Sequence, residues 1–85
     1  MAKVEIYTKA TCPYCIRAKM LLKDKGVDPE EIAVDYGGEK KQEMVSRANG
    51  RMTVPQIFIN GRHVGGCDDL FELEDTGKLD ALLAA

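Results

Sequence analysis

The segment Lys3-Val4-Glu5-Ile6-Tyr7-Thr8-Lys9-Ala10-Thr11-Cys12-Pro13-Tyr14-Cys15 changes its period midway, and that change decides the fold. From Lys3 to Thr8, Val4 and Ile6 alternate with Glu5 and Tyr7, the two-residue period of a strand. Lys9-Ala10-Thr11 reads as loop. From Pro13 to Lys25 the period is helical, with Ala18, Leu21, Leu22 and Lys25 on one face. Pro13 suits the first helical position, where its missing N–H costs nothing, and this puts Cys12 at the N-cap. Gly26 supplies the stop signal.

Beyond this unit, Glu30 to Asp35 alternates again, with Ile32 and Val34 pointing one way, which predicts a second strand. Tyr36-Gly37-Gly38 breaks it. Glu39 to Ala48 reads as a helix carrying Met44, Val45 and Ala48, ended by Asn49-Gly50. Val54 to Ile59 predicts a third strand with Pro55 at its start, since an interior proline would remove a ladder donor. Asn60-Gly61 is a strong hairpin signal and leads to a fourth strand, Arg62 to Val64. Asp68 and Asp69 open a third helix running to about Asp75, and Leu79 to Leu83 forms a last turn. The order β-α-β-α-β-β-α predicts an α/β domain with a parallel first βαβ unit and an antiparallel hairpin. Met20 and Met44 read as ordinary packing.

Eighty-five residues make one domain, 1–85, with a thin core. The chain is 45% hydrophobic and 31% charged, which argues against disorder. The formal net charge of -2, with both signs interleaved, provides no basic stripe for nucleic acid and no membrane patch. No apolar run is long enough to span a bilayer. Met1 to Glu5 enters a strand pattern at once, so the expected location is cytoplasmic. Three cysteines, two of them as Cys-x-x-Cys, fit a redox or metal site better than the even set of a secreted disulfide scaffold.

A thiol attacks only as its thiolate, so a redox cysteine needs surroundings that favour the charged form. Cys12 at a helix start faces unpaired N–H groups and the positive end of the helix dipole. Lys9 can bring a cation near, and Cys15, one turn on and more covered, can donate a hydrogen bond to the Cys12 sulfur. The short spacing closes a small ring, which makes a disulfide there readily reducible. The competing reading is zinc, with Cys12, Cys15, Cys67 and His63 as a Cys₃His set. Zinc pairs usually sit in a tight knuckle, however, and His63 beside the hairpin turn reads more simply as a surface residue.

Thr8 to Cys15, Thr53-Val54-Pro55-Gln56-Ile57-Phe58-Ile59 and Gly65-Gly66-Cys67-Asp68-Asp69 resemble, in order and spacing, the three signature segments of the glutaredoxin family. The likeness covers essentially the whole chain and is closest to the short bacterial dithiol class with Cys-Pro-Tyr-Cys. It implies a thioredoxin fold, a four-stranded mixed sheet with helices on both faces. It also implies a glutathione groove beside Cys12, with the proline matching Pro55 in the cis form. The main chain at Val54, next to Thr53, would pair with the ligand like an added strand. Gly66, Cys67 and Asp68 would hold the γ-glutamyl end, where a helix start receives a carboxylate and Asp68 meets the ammonium. Lys9 and Gln42, with Arg51 third, are candidates for the glycine carboxylate, and Tyr14 would form a wall. Lys9, Gln42 and Arg51 are also explained as ordinary solvated surface. Asp69 reads mainly as a cap. Cys67 acts through its backbone or stands as a partly exposed free thiol; the backbone role is preferred.

The implied enzyme is a glutathione-dependent thiol–disulfide oxidoreductase with Cys12 and Cys15 as its catalytic pair. It would reduce protein–glutathione mixed disulfides by a monothiol route and protein disulfides by a dithiol route. Expected partners are glutathione and glutathionylated or disulfide-containing proteins, ribonucleotide reductase being a family-level candidate. Neither nucleic acid nor membrane is expected, the state expected is monomeric, and no metal is expected. The alternative is a glutathione-ligated iron–sulfur cluster carrier, against which Pro13 speaks by resemblance. A thioredoxin-like reductase is a further rival; no tryptophan precedes Cys12 and no Gly-Pro lies between the cysteines.

Overall fold

Alternation along two strands builds both faces of the central sheet. In the computed structural model, which describes residues 2–85, β1 (Val4–Thr8) pairs parallel with β2 (Glu30–Ala33) and antiparallel with β3 (Gln56–Ile59). β4 (Arg62–Gly65) pairs antiparallel with β3, completing the order β2-β1-β3-β4. Met1, the first residue of the expected span 1–85, lies outside the described residues. The helices are α1 (Pro13–Asp24), α2 (Gly38–Arg47), α3 (Cys67–Asp75) and α4 (Leu79–Ala84).

Val4 and Ile6 of β1, with Ile57 and Ile59 of β3, face a cluster made with Ala18, Leu21 and Leu22 of α1 and with Leu70 and Leu79. The alternate residues Tyr7 and Phe58 face a second cluster with Val34, Met44 and Ala48 under α2. This is the expected mixed sheet with helices on both faces, one period-2 pattern supplying each side. Leu22 and Leu70 are completely buried, each contributing about 1.5–3 kcal/mol of apolar transfer.

Several element ends differ from the sequence expectation. β2 stops at Ala33: the Val34 N–H still donates to the Thr8 carbonyl at 2.9 Å, but Asp35 leaves the sheet and accepts the Ala10 N–H at 2.8 Å. β3 begins at Gln56 rather than Val54, because Pro55 has no N–H for the ladder. α2 runs Gly38–Arg47 with Ala48 as its cap, and α3 starts at Cys67, with Gly66 as its N-cap. The last turn is a six-residue helix, α4. Met44 is buried as expected, whereas Met20 is 60% exposed: it lies off the Ala18–Leu21–Leu22 stripe of α1.

Candidate active site

Cys12 occupies the N-cap of α1 in extended conformation, and Pro13 opens the helix. The Cys15 N–H donates to Cys12 Sγ at 3.1 Å, and the Ile16 N–H donates to the Cys12 carbonyl at 3.1 Å. From the other side the Cys12 thiol reaches the Val54 carbonyl oxygen at 3.8 Å, so its sulfur bridges the helix start and the loop before β3. Cys12 is half-buried, and Cys15 is 1% exposed. Burial, reinforced by the neighbouring Cys12, pushes the Cys15 thiol up to about 12 against the opposing Lys9 backbone and Lys19 charge. Cys15 therefore stays a protonated thiol at neutral pH, a donor beside the Cys12 sulfur. Cys12, Cys15 and Cys67 are all free thiols.

Beside this pair lies an open groove of about 150 Å³. Its walls are Tyr14 of α1, the loop residues Arg51, Thr53, Val54 and Pro55, and the start of α3 at Gly66, Cys67, Asp68 and Asp69. The Val54–Pro55 peptide is cis. Tyr14 is more than half exposed, an aromatic side chain at the rim. The first turn of α3 supplies N–H groups without helical acceptors, the usual receptor for a carboxylate.

Asp69 and Arg51 close one end. Asp69 accepts the Gly66 N–H at 2.9 Å and pairs with Arg51 at 3.0 Å. The Gly66 N–H and then the guanidinium hold its carboxyl below the usual range, against a smaller effect of burial. Cys67 is 6% exposed rather than partly exposed, because its side chain turns into the Val4–Leu70 core. Burial pushes its thiol up, with Arg17 opposing.

Of the residues singled out in the sequence, Tyr14, Thr53, Val54, Pro55, Gly66, Cys67 and Asp68 meet in one groove, with Arg51 on its wall. Lys9 and Gln42 do not line it; both are exposed, and Gln42 lies on α2. His63 is half-buried and not a surface residue. Its ring lies 5.1 Å from that of Phe58 and its Nε2 is 2.7 Å from Gln56 Oε1. Burial, and next the Arg51 charge, lower its pKa, with Asp69 opposing. His63 is thus committed to Gln56, and among the described residues no group of three His, Cys, Asp or Glu side chains is placed to hold a metal ion. Sequence reasoning passed over Gln56. Its signal was a polar side chain opening the apolar run Ile57-Phe58-Ile59.

Under α2, Glu5 takes both arms of Arg47 at 2.9 and 3.1 Å, and Arg47 donates to the Tyr7 hydroxyl at 2.8 Å. That hydroxyl donates in turn to Glu43, and the guanidinium lies 4.1 Å from the centre of the Phe58 ring. The group braces α2 against β1 and β3, on the same face as His63. Among the described residues no helix is long and apolar enough to cross a membrane.

A family model described as Glutaredoxin matches residues 4–64. The chain is 59% identical over 83 residues to glutaredoxin 3 of Escherichia coli (strain K12), covering 98% of this chain and 99% of that protein. It is 61% identical over 85 residues to a glutaredoxin of Pseudomonas aeruginosa, covering all of both chains. Among solved structures, it resembles glutaredoxin from Brucella melitensis with TM-score 0.84 and 57% identity, covering 98% of this chain and 89% of that one. A buckwheat glutaredoxin–glutathione complex matches with TM-score 0.87 and 31% identity, covering 98% of this chain and 77% of that one.

Proposed function

This chain belongs to the glutaredoxin family, a family of thiol–disulfide oxidoreductases, and on that premise we propose that Cys12 is its nucleophile and Cys15 its resolving thiol. The observation that carries the assignment is the position of the Cys12 sulfur, 3.1 Å from the Cys15 N–H and 3.8 Å from the Val54 carbonyl oxygen. A sulfur at a helix start has N–H donors for its anion, and one beside a groove can meet a bound disulfide.

In the monothiol route, the Cys12 thiolate attacks the glutathione sulfur of a protein–glutathione mixed disulfide. The S–S bond breaks, the protein thiolate leaves and takes a proton, and Cys12 carries glutathione. A second glutathione thiolate attacks that glutathione sulfur, releasing glutathione disulfide and restoring the Cys12 thiolate. In the dithiol route, Cys12 attacks a protein disulfide. Cys15 gives up its proton, attacks Cys12 and frees the second protein thiol. Two glutathiones then reduce the Cys12–Cys15 disulfide, forming one glutathione disulfide.

For glutathione, the Val54 main chain next to Thr53 and Pro55 serves as the strand that pairs with the ligand backbone. The start of α3 at Gly66 and Cys67 receives the γ-glutamyl carboxylate through the Cys67 main-chain N–H, the Gly66 N–H staying on Asp69, and Asp68 meets its ammonium. Tyr14 is the rim. For the glycine carboxylate, at the end of the ligand away from the α3 start, Lys9 and Gln42 are the candidates and Arg51 a weaker third, since its guanidinium is already paired with Asp69 beside Gly66. The buckwheat relative, described in complex with glutathione, supports that ligand class. The enzyme acts as a monomer in the cytoplasm, without a resident metal, on glutathionylated or disulfide-containing proteins; ribonucleotide reductase is a family-level candidate. The deciding experiment is turnover of a glutathionylated peptide with glutathione by wild type and Cys12→Ser. Substantial turnover by Cys12→Ser would falsify the assignment.

A further inference from the structure

Thr53 precedes the β3 ladder, so strand pairing does not hold its carbonyl. The partner of that carbonyl is a side chain. Gln56 Nε2 donates to the Thr53 carbonyl at 3.0 Å and to the Thr53 hydroxyl at 3.3 Å. Gln56 itself is fully buried, and its backbone stands opposite Tyr7 in the β1–β3 ladder, the central pair of the sheet. Both hydrogens of the amide are used on Thr53, which leaves Oε1 for His63 Nε2 at 2.7 Å. The ring of His63, on β4, rests against Phe58, and Phe58 lies against Arg47. A turned-over amide would set its oxygen against the Thr53 carbonyl oxygen, acceptor against acceptor, and leave that carbonyl without its donor. The amide therefore has one acceptable orientation.

We propose that Gln56 is a positioning residue: it clamps the Thr53 carbonyl and hydroxyl inward, with His63 partnering the remaining amide oxygen, and so sets the Val54 main chain for glutathione. The peptide that Gln56 holds is the one leading directly into Val54. Rotation of that peptide would redirect the Val54 edge and shift the carbonyl that meets Cys12 Sγ at 3.8 Å. This inference rests on the glutathione reading of the groove. Nothing in it requires Gln56 to touch the reacting sulfurs, so its loss should weaken binding of the glutathione moiety without changing the intrinsic reactivity of Cys12.

The test compares wild type, Gln56→Met and His63→Leu in two assays. One gives KM for a glutathionylated peptide. The other gives the rate of Cys12 alkylation by iodoacetamide, a probe too small to need the groove. Gln56→Met should raise KM about tenfold, with the alkylation rate unchanged, as expected for two lost hydrogen bonds. His63→Leu, at a half-buried position and so gentle on folding, should raise KM about threefold, the loss of one weaker constraint. An unchanged KM in folded Gln56→Met overturns the proposal, as does an alkylation rate that falls by the same factor by which KM rises. If Gln56→Met does not fold, His63→Leu decides by the same criteria. Failure of wild type to turn over the peptide instead overturns the glutathione reading, and this inference with it.

Discussion

The backbone N–H of Cys15 points at the sulfur of Cys12 from 3.1 Å, while the side chain of Cys15 is 1% exposed. One residue thus supports the attacking sulfur through its main chain and holds its own thiol in reserve. The main-chain contact survives replacement of the Cys15 side chain, but the resolving thiol does not. Cys15→Ser should therefore keep most of its turnover of a glutathionylated peptide and lose reduction of a protein disulfide. Cys12→Ser should bring both to the uncatalysed background. Paired steady-state assays check this; a Cys15→Ser enzyme that reduces protein disulfides at the wild-type rate rejects the two-role assignment.

The three thiols should separate sharply towards an alkylating reagent. With its pKa pushed up to about 12, Cys15 is thiolate in only about one part in 10⁵ at neutral pH. Burial also pushes Cys67 up and keeps reagent away. Iodoacetamide at pH 7 should label Cys12 first, with Cys15 and Cys67 modified only on unfolding in urea. Peptide mapping by mass spectrometry reads the order, and early labelling of Cys67 would contradict the packing described.

Two glycines of β4 and its hairpin should respond differently to alanine. Gly61 has φ +80° with open space around the added carbon, so Gly61→Ala should cost about 1–2 kcal/mol of backbone strain. At Gly65, φ is +119° and a Cβ would stand 2.3 Å from Asp69 Oδ2 and 2.9 Å from Arg51 Nη1. Gly65→Ala should cost about 2–4 kcal/mol, because strain adds to displacement of the Asp69 cap on Gly66. Urea titrations of both variants test the ordering; equal midpoints would refute it.

Acid should destabilise the fold in two stages. His63 has its pKa lowered from 6.5, so the unfolded chain binds this proton first, and stability should decline as pH falls below about 6.5. Glu5, held down first by its hydrogen bond from Arg47, and Glu31, held down first by Thr8, have pKa values below their ordinary 4.5. Their contribution is present above that value and is lost as pH falls through the folded values. Glu5→Gln should cost about 1–3 kcal/mol at pH 7, since it breaks a charged, largely covered pair, and should flatten the lower stage. His63→Leu should flatten the upper stage alone. Thermal midpoints from pH 3 to 8 give both slopes.

The element order and both faces of the sheet were legible in the sequence, since alternation in Val4–Tyr7 and Ile57–Ile59 records which side chains point inward. The ends of β2 and β3 were not, because they depend on where Asp35 and Pro55 lead the chain. Most of the groove followed from motifs that resemble a family. Met20, His63 and the thiol of Cys67 were misread because burial of a side chain at the edge of an amphipathic pattern depends on what packs opposite.

By itself the sequence determined that Cys12 sits at a helix start. Pro13, the apolar stripe of α1 and Gly26 are local signals, acting within a few residues through backbone conformation. Only the tertiary structure decided what meets that cysteine and its groove: the Val54 carbonyl at Cys12, Arg51 on Asp69, and Gln56 between Thr53 and His63. The Val54 and Arg51 contacts join residues from separate elements, and the Gln56 contacts link a loop to two strands. Each depends on hydrogen-bond geometry set when the layers pack, and hydrophobic period carries no information about which polar groups will then face one another.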